Sequence, residues 1–301
     1  MQRQIKTEEL TWTDIVDLNK EDLEFLASNY TFHTTHLNEL LKRSTRPKFE
    51  EHQGYIFLIV HTPFFNPAQR STTAEEVNIF ITHNEIVTVH MGRVHLLDKF
   101  FNEVSEEPKL IEHYVGRDAA YLLHSIMSIL IDSAFPKLDH IFEKIEIAER
   151  EIFAGKEREM VYELSLLSRD ISGFAQIMRP QVKMFDPGIL RGDFATPSFK
   201  AVFKSLESKL ERVWSHLETL KERVESLSTT NSNMLSHKLN EFIKILTLIS
   251  ALFIPISVIC AGLPFFHETP LVSLIIFWLF VTLLIIIDFM ILWYYRAKKL
   301  L

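Results

Sequence analysis

The chain has one cysteine and eight glycines among its 301 residues, and it carries no surplus of basic side chains. Each shortage removes a class of function. A single cysteine, Cys260, excludes a disulfide framework and any cysteine-rich zinc site, and its position inside an apolar run gives it a packing role. With so few glycines there is no GxGxxG and no Walker-type loop, so no nucleotide cradle can be read. A formal charge of −7 argues against nucleic acid as a partner, because a polyanion is bound by a basic surface that releases its counterions. Charge is missing altogether from two long stretches: no Asp, Glu, Lys or Arg occurs between Lys244 and Glu268, or between Glu268 and Asp288.

Each of those stretches is long enough to cross roughly 30 Å of hydrocarbon as a helix, which predicts a two-span hairpin over residues 241–301 with the lipid bilayer as a partner. At this end of the chain the hairpin is out of reach of signal-peptide cleavage. Lys238 and Lys244 precede the first span, Arg296, Lys298 and Lys299 follow the second, and the connecting turn carries only Glu268. The positive-inside tendency then places both termini in the cytoplasm. Trp293, Tyr294 and Tyr295 fit an interfacial aromatic belt, and Pro264 and Pro270 bracket the outer turn. Lys244 and Asp288 lie nearest the membrane interior, at depths of about 30 and 26 Å counted from the outer turn. They are a candidate ion pair near the cytoplasmic interface, with a charge on an ion path as the competing reading.

The residues before the hairpin read as two parts, a cytoplasmic α/β domain over 1–112 and a long-helix stalk over 113–240. In the first, Asn19-x-x-Asp22 marks a helix start, and a second helical stretch runs from about His33 to Arg43. Tyr55-Ile-Phe-Leu-Ile-Val60 is a continuous apolar strand. Val77–Thr82 and Glu85–His90 form a hairpin across His83-Asn84, and polar Phe65–Ala74 reads as a loop. Helices are expected over Arg93–Val104, Arg117–Phe153 and about Glu157–Phe185, followed by a loop at Asp186-Pro187-Gly188.

One further helix runs from about residue 198 into the membrane, with no proline between Pro197 and Pro255. Along it Leu206, Leu210, Val213, Leu217, Leu220, Val224 and Leu227 keep a 4-3 spacing that Asn231 and Met234 continue. Such a seam needs partners: either other helices of the same chain or the same helix in further copies. The 13 histidines are dispersed, and only His33 and His36 share helical spacing. With no HExxH and no nearby cysteine, no structural zinc site is expected. Asp132, Asp139, Glu143, Glu146 and Glu149 read as a solvated face. No pairing of nucleophile and base emerges, so the chain is not expected to be an enzyme or to hold a resident cofactor.

Several segments carry a resemblance to a known family. They are Trp12-Thr-Asp-Ile-Val-Asp17 with Glu21-Asp-Leu-Glu-Phe-Leu26, His36-Leu-Asn-Glu-Leu-Leu41, Arg46-Pro-Lys-Phe-Glu50 with Tyr55-Ile-Phe-Leu58, and Tyr121–Asp132. The Pro180-Gln181 pair and Lys238-Leu-Asn-Glu-Phe-Ile-Lys-Ile-Leu-Thr247 through Phe253-Ile-Pro255 complete the set. In this order and spacing they resemble the CorA superfamily of divalent-cation transporters over nearly the whole chain. The resemblance implies an α+β membrane protein shaped as a funnel, a homopentamer in the plasma (inner) membrane, with the first span lining a central pore. It implies passive transport of Mg²⁺, or of Zn²⁺ or Co²⁺, and regulatory divalent cations held by carboxylates between cytoplasmic domains. The family's Gly-Met-Asn signature belongs nine residues after Pro255, where this chain has Pro264-Phe265-Phe266. A poorly conducting scaffold or regulatory protein, or a channel of altered selectivity, is therefore the alternative function.

The residues themselves bear on a pore. Asn240, Ile243, Leu246, Ser250, Ile254, Ser257 and Ala261 recur every three or four positions and share one helix face. In a symmetric oligomer that face would alternate small polar groups with apolar rings and carry no fixed charge. The competing reading is close helix packing through small residues. At the pore mouth Phe265 and Phe266 would form a hydrophobic plug or an interfacial collar. His267 and Glu268 just beyond would either ring the mouth with acceptors or sit in an ordinary solvated turn.

Overall fold

A computed structural model of the chain describes residues 2–66, 70–262 and 271–297. It divides into two units, Met1–Thr229 and Thr230–Leu301. Among the described residues the first is built on six strands: β1 (Gln2–Lys6), β2 (Thr11–Val16), β3 (Lys48–His52), β4 (Tyr55–Asn66), β5 (Ser71–Ile81) and β6 (Glu85–His90). Their order is β1-β2-β6-β5-β4-β3, with β2 and β6 parallel and every other pair antiparallel.

The apolar run of β4 follows from burial on both faces, since Ile56 to Val60 are all at most 1% exposed. Odd-numbered Phe57 and Ile59, with Phe80, Val87 and Val89, meet Leu26, Phe32 and Leu37 from the α1 (Lys20–Asn29) and α2 (Thr34–Glu39) segment. The opposite face carries α3 (His95–Glu106), α5 (Ala119–Asp132) and α7 (Glu157–Met184); Trp12 of β2, for example, packs edge-on to Phe101 of α3 at 4.7 Å. Asn19 caps α1 as its sequence spacing predicts. Its side chain accepts from the Asp22 backbone N–H at 2.8 Å, and the Asp22 carboxylate accepts from the Asn19 N–H at 3.1 Å.

Three expectations change. The segment 65–74 is not a loop throughout: β4 reaches Asn66 and β5 starts at Ser71, with Phe65 opposite Thr72. Threonines suit a half-exposed strand as well as a loop, so polarity alone misjudges the segment. The single helix expected over 117–153 is two, α5 and α6 (Phe135–Phe153), because Pro136 has no N–H to bond the Asp132 carbonyl. The helix expected over 33–43 is the shorter α2. Also present are β1, β3 and α4 (Pro108–Tyr114), which no hydrophobic periodicity announced.

The longest helix, α8 (Pro197–Gly262), carries the 4-3 seam, and α9 (Leu271–Ala297) follows it. Leu206 through Leu227 are buried within this single chain, as is Asn231. Lys209 reaches Asp132 of α5 at 2.6 Å and Arg223 reaches Glu149 of α6 at 2.8 Å, so the seam faces helices of its own unit. Burying each aliphatic side chain is worth about 1.5–3 kcal/mol, against about 0–1 kcal/mol for such half-exposed ion pairs. The seam is the adhesive and the pairs set its register. It is therefore no argument for an oligomer.

Side chains complete the sheet where strands run out. β3 pairs with β4 only as far as Lys48 opposite Ile59. Beyond that point Gln181, next to Pro180 in α7, takes the place of a strand. Its Oε1 accepts from the His61 N–H at 3.1 Å and its Nε2 donates to the His61 carbonyl at 2.8 Å. On the parallel β2–β6 pair, Asp14 is fully buried, accepting from Thr88 Oγ1 and from Arg3, with His90 Nε2 at 3.3 Å. Burial works against the charge on Asp14, but His90, Thr88 and Arg3 outweigh it and hold its pKa below 3.8. Burial likewise works against a charged His90, but Asp14 prevails and raises its pKa above 6.5.

Replacing Gln181 by Leu strands the His61 N–H and carbonyl in an apolar setting, and the full-length protein is expected to lose roughly 2–5 kcal/mol of stability. A denaturation midpoint equal to wild type would refute this role. The buried pair predicts a pH window. His90 contributes fully below 6.5 and loses its contribution as pH rises through its raised folded pKa. Asp14 contributes fully above 3.8 and loses its contribution as pH falls through its depressed one. The stability difference between wild type and Asp14→Asn should be largest between those two values and shrink on either side. A difference that is flat with pH would count against the pair.

Candidate functional site

The second unit exposes apolar surface that water does not tolerate. Phe242, Leu246, Phe253 and Ile254 of α8 and Leu279, Phe289 and Trp293 of α9 are all more than half exposed in the isolated chain. Leaving such side chains in water costs about 1.5–3 kcal/mol each, so this unit is built for hydrocarbon. Ala119–Phe153 passes the same test of length and composition as the α8 run. Half of it, however, is buried in the first unit, where it serves as core.

The residues expected from periodicity to share a face all lie on α8, where neighbours off that face such as Phe242 and Ile245 are exposed as well. Asn240, Ile243, Leu246, Ser250, Ile254, Ser257 and Ala261 are all exposed on one continuous helix. Its hydroxyls share one geometry. Ser250 Oγ donates to the Leu246 carbonyl at 2.9 Å, and Ser257 Oγ donates to the Phe253 carbonyl at 2.9 Å. Thr247 Oγ1 donates to the Ile243 carbonyl at 2.7 Å. A hydroxyl that has given its proton to its own helix is left as an acceptor. Thr247 was missed as a member of the face, although its position four after Ile243 and three before Ser250 was the available signal. Pro255 lies within the helix and leaves the Ala251 carbonyl without its usual backbone donor.

The mouth residues Pro264, Phe265, Phe266, His267 and Glu268 lie outside the described residues. So does the side chain of Asp288, and with it the pair proposed for Lys244, which is itself exposed.

In the first unit, folding brings together groups that sequence spacing kept apart. His36, Glu50 and His52 present ligand atoms within 4.8 Å of one another, and so do Asp14, His90 and Asp98. Dispersed in sequence, the histidines of the first group are brought together by α2 and the edge strand β3. In the second group Arg3 binds both Asp14 and Asp98 and takes the place of a cation.

If copies of α8 surround a common axis, cysteines at Asn240, Ile254 or Ser257 in a Cys260-free background should crosslink between subunits or react with small thiol reagents from one side. Phe277 in α9 serves as a lipid-facing control and should do neither. Equal reactivity at both sets would reject the assignment of the face.

Comparison with known proteins follows the same lines. The family described as CorA-like Mg2+ transporter protein matches residues 7–296. The cobalt/magnesium transport protein CorA of Thermotoga maritima is 23% identical over 257 residues, covering 83% of this chain and 71% of that protein. The protein of the same name from Methanocaldococcus jannaschii is 21% identical over 248 residues, covering 81% of this chain and 76% of that protein. Among solved structures, the complete CorA magnesium transporter from Methanocaldococcus jannaschii superimposes with a TM-score of 0.76 at 20% identity, covering 97% of this chain and 92% of that one. Full-length CmaX gives a TM-score of 0.73 at 16% identity, covering 97% and 90%. Matched across almost its entire length by the family and by the fold of complete members, the chain belongs to the CorA-like Mg2+ transporter family.

Proposed function

We propose that the protein is a passive channel for hydrated divalent cations, a homopentamer in the plasma (inner) membrane whose pore is lined by the membrane segment of α8. The observation that carries this reading is the exposed, charge-free face from Asn240 to Ala261 with its acceptor hydroxyls. A hydrated dication presents water hydrogens outward, and an acceptor meets those hydrogens where a donor would not. Stripping the water from Mg²⁺ is costly and slow, so a wide path of neutral acceptors suits a cation that keeps its shell. Apolar Ile243, Leu246 and Ile254 between them supply rings that close by dewetting.

The membrane potential is sufficient to drive entry. Moving one charge through 100 mV is worth about 2.3 kcal/mol, so a dication gains about 4.6 kcal/mol, enough for an inward gradient of roughly three orders of magnitude. No nucleotide loop is needed. Mg²⁺ and Co²⁺, the ions named for the relatives, are the first to test, with Zn²⁺ after them.

One observation favours a second reading. Pro264-Phe265-Phe266 stands where the family carries Gly-Met-Asn, so an amide at the mouth is replaced by aromatic rings. A scaffold or regulatory protein that conducts little would follow from rings that plug the pore. Rings that form a collar at the membrane interface leave the path open, and Glu268 beyond them would gather cations.

Metal flux into proteoliposomes of the pure protein decides. With an open collar, wild type conducts, replacing Phe265 and Phe266 by serine changes flux little, and Glu268→Gln lowers it. With a plug, the double substitution raises flux. No metal flux in any of the three overturns the channel reading in favour of the scaffold.

A further inference from the structure

We propose that His36, Glu50 and His52 form a binding site for one zinc-class divalent cation at the β3 edge of the first unit. The three residues converge because of local geometry. Glu50 and His52 alternate along β3 and so point to the same face. The two-residue turn Gln53-Gly54, with Gly54 at φ +84°, places His52 directly opposite Tyr55 on β4. A glycine suits that backbone, which side chains disfavour. His36 comes from α2, which begins at the His33 cap.

The spacing suits a metal. His36 Nε2 lies 2.6 Å and His52 Nε2 3.7 Å from the same carboxylate oxygen, Glu50 Oε2. Ligand atoms about 2.0–2.1 Å from a tetrahedral zinc stand roughly 3.4 Å from one another. Small side-chain rotations therefore turn the present contacts into a coordination shell. His36 is 2% exposed, whereas Glu50 and His52 are about two-fifths exposed, so one ligand is anchored and two are reachable from solvent.

The surroundings are those of a braced ligand set. His36 Nδ1 lies 2.9 Å from Tyr55 Oη, which also accepts from the His33 backbone N–H at 2.9 Å. With a cation bound, Nδ1–H would donate to Tyr55 and the Nε2 lone pair would face the ion, the outer bond that orients ligating histidines. Lys48 holds the other carboxylate oxygen of Glu50 at 3.0 Å and Glu39 at 2.8 Å, so Oε2 is the oxygen turned to the two histidines. Two carboxylates against one ammonium leave a net negative charge. Burial pushes His36 below the usual imidazole range, with the nearby Glu50 only partly offsetting it, which favours the neutral ring.

Two imidazoles and one carboxylate select zinc-class ions over Mg²⁺ or Ca²⁺, which take oxygen ligands. Three protein ligands leave a fourth position for water. The Asp14, His90 and Asp98 group makes no such site, because the Arg3 guanidinium is already there.

The test uses the full-length, metal-free protein in detergent and reads binding, so its outcome is independent of whether the protein conducts. Co²⁺ should give the visible absorption of a four-coordinate centre, displaced by one equivalent of Zn²⁺ per chain and undisturbed by millimolar Mg²⁺. His52→Gln, at an exposed position where folding is not at risk, should weaken Zn²⁺ binding at least about tenfold, as should Glu50→Gln. His36→Gln should abolish the Co²⁺ band, while His140→Gln on α6 should change nothing. Wild-type Zn²⁺ affinity in His52→Gln and Glu50→Gln, an absent Co²⁺ band, or displacement by Mg²⁺ would each overturn the proposal.

Discussion

A backbone in hydrocarbon has no water to bond, so every N–H and carbonyl must find its partner within the helix itself. That constraint governs α8. Up to Leu227 the helix buries one stripe and solvates the rest, and Lys209 and Arg223 stand beside the seam with partners on α5 and α6. Beyond Lys244 every side chain through Ala261 is uncharged, while the helix itself continues to Gly262. The hydroxyls obey the same rule by donating to carbonyls four residues back. Pro255 breaks it at one carbonyl, that of Ala251, which makes the middle of the span its least self-sufficient point.

The first unit solves the same accounting problem with side chains instead of helix geometry. Gln181 stands in for a strand at His61, and the Asp170 carboxylate accepts from the Thr72 N–H near the far end of the β4–β5 ribbon. Both come from α7, so one helix completes the sheet at two places in addition to packing on it. Asp14 is the charged version of this device. It stays ionised in the core because Arg3, Thr88 and His90 together outweigh desolvation, and it ties β2 to β6 across the only parallel pairing of the described sheet.

What was legible in the sequence was whatever a period or a cap encodes. The Asn19 cap, the buried run of β4, the β5–β6 hairpin, the 4-3 seam and the spans all follow from residue type and spacing. β1 and β3 escaped because short edge strands are half exposed and carry charge, so they show neither alternation nor an apolar run. The break at Pro136 was readable but outweighed by the surrounding apolar pattern. The partner of the seam was not readable, since a heptad stripe looks the same whether a neighbour belongs to its own chain or to another. The meeting of His36 with His52 was hidden for a different reason. It depends on a tight turn and an edge pairing, which place side chains together without leaving any periodic trace.

The proposed pore and the proposed histidine site would discriminate among dications by opposite means. A neutral face of hydroxyl and amide acceptors touches only the hydration shell, so it responds to charge and hydrated size and holds each ion weakly, which is what throughput requires. Two imidazoles and a carboxylate touch the ion itself and respond to its preference for nitrogen, which favours retention over passage. An abundant ion that keeps its water would pass the first and ignore the second. A scarcer ion that sheds water for nitrogen would be retained by the second at concentrations too low to contribute to flux. Under the two proposals together, the chain would carry one class of cation and register another, with α8 offering oxygen acceptors to water while α2 and β3 offer nitrogen to metal.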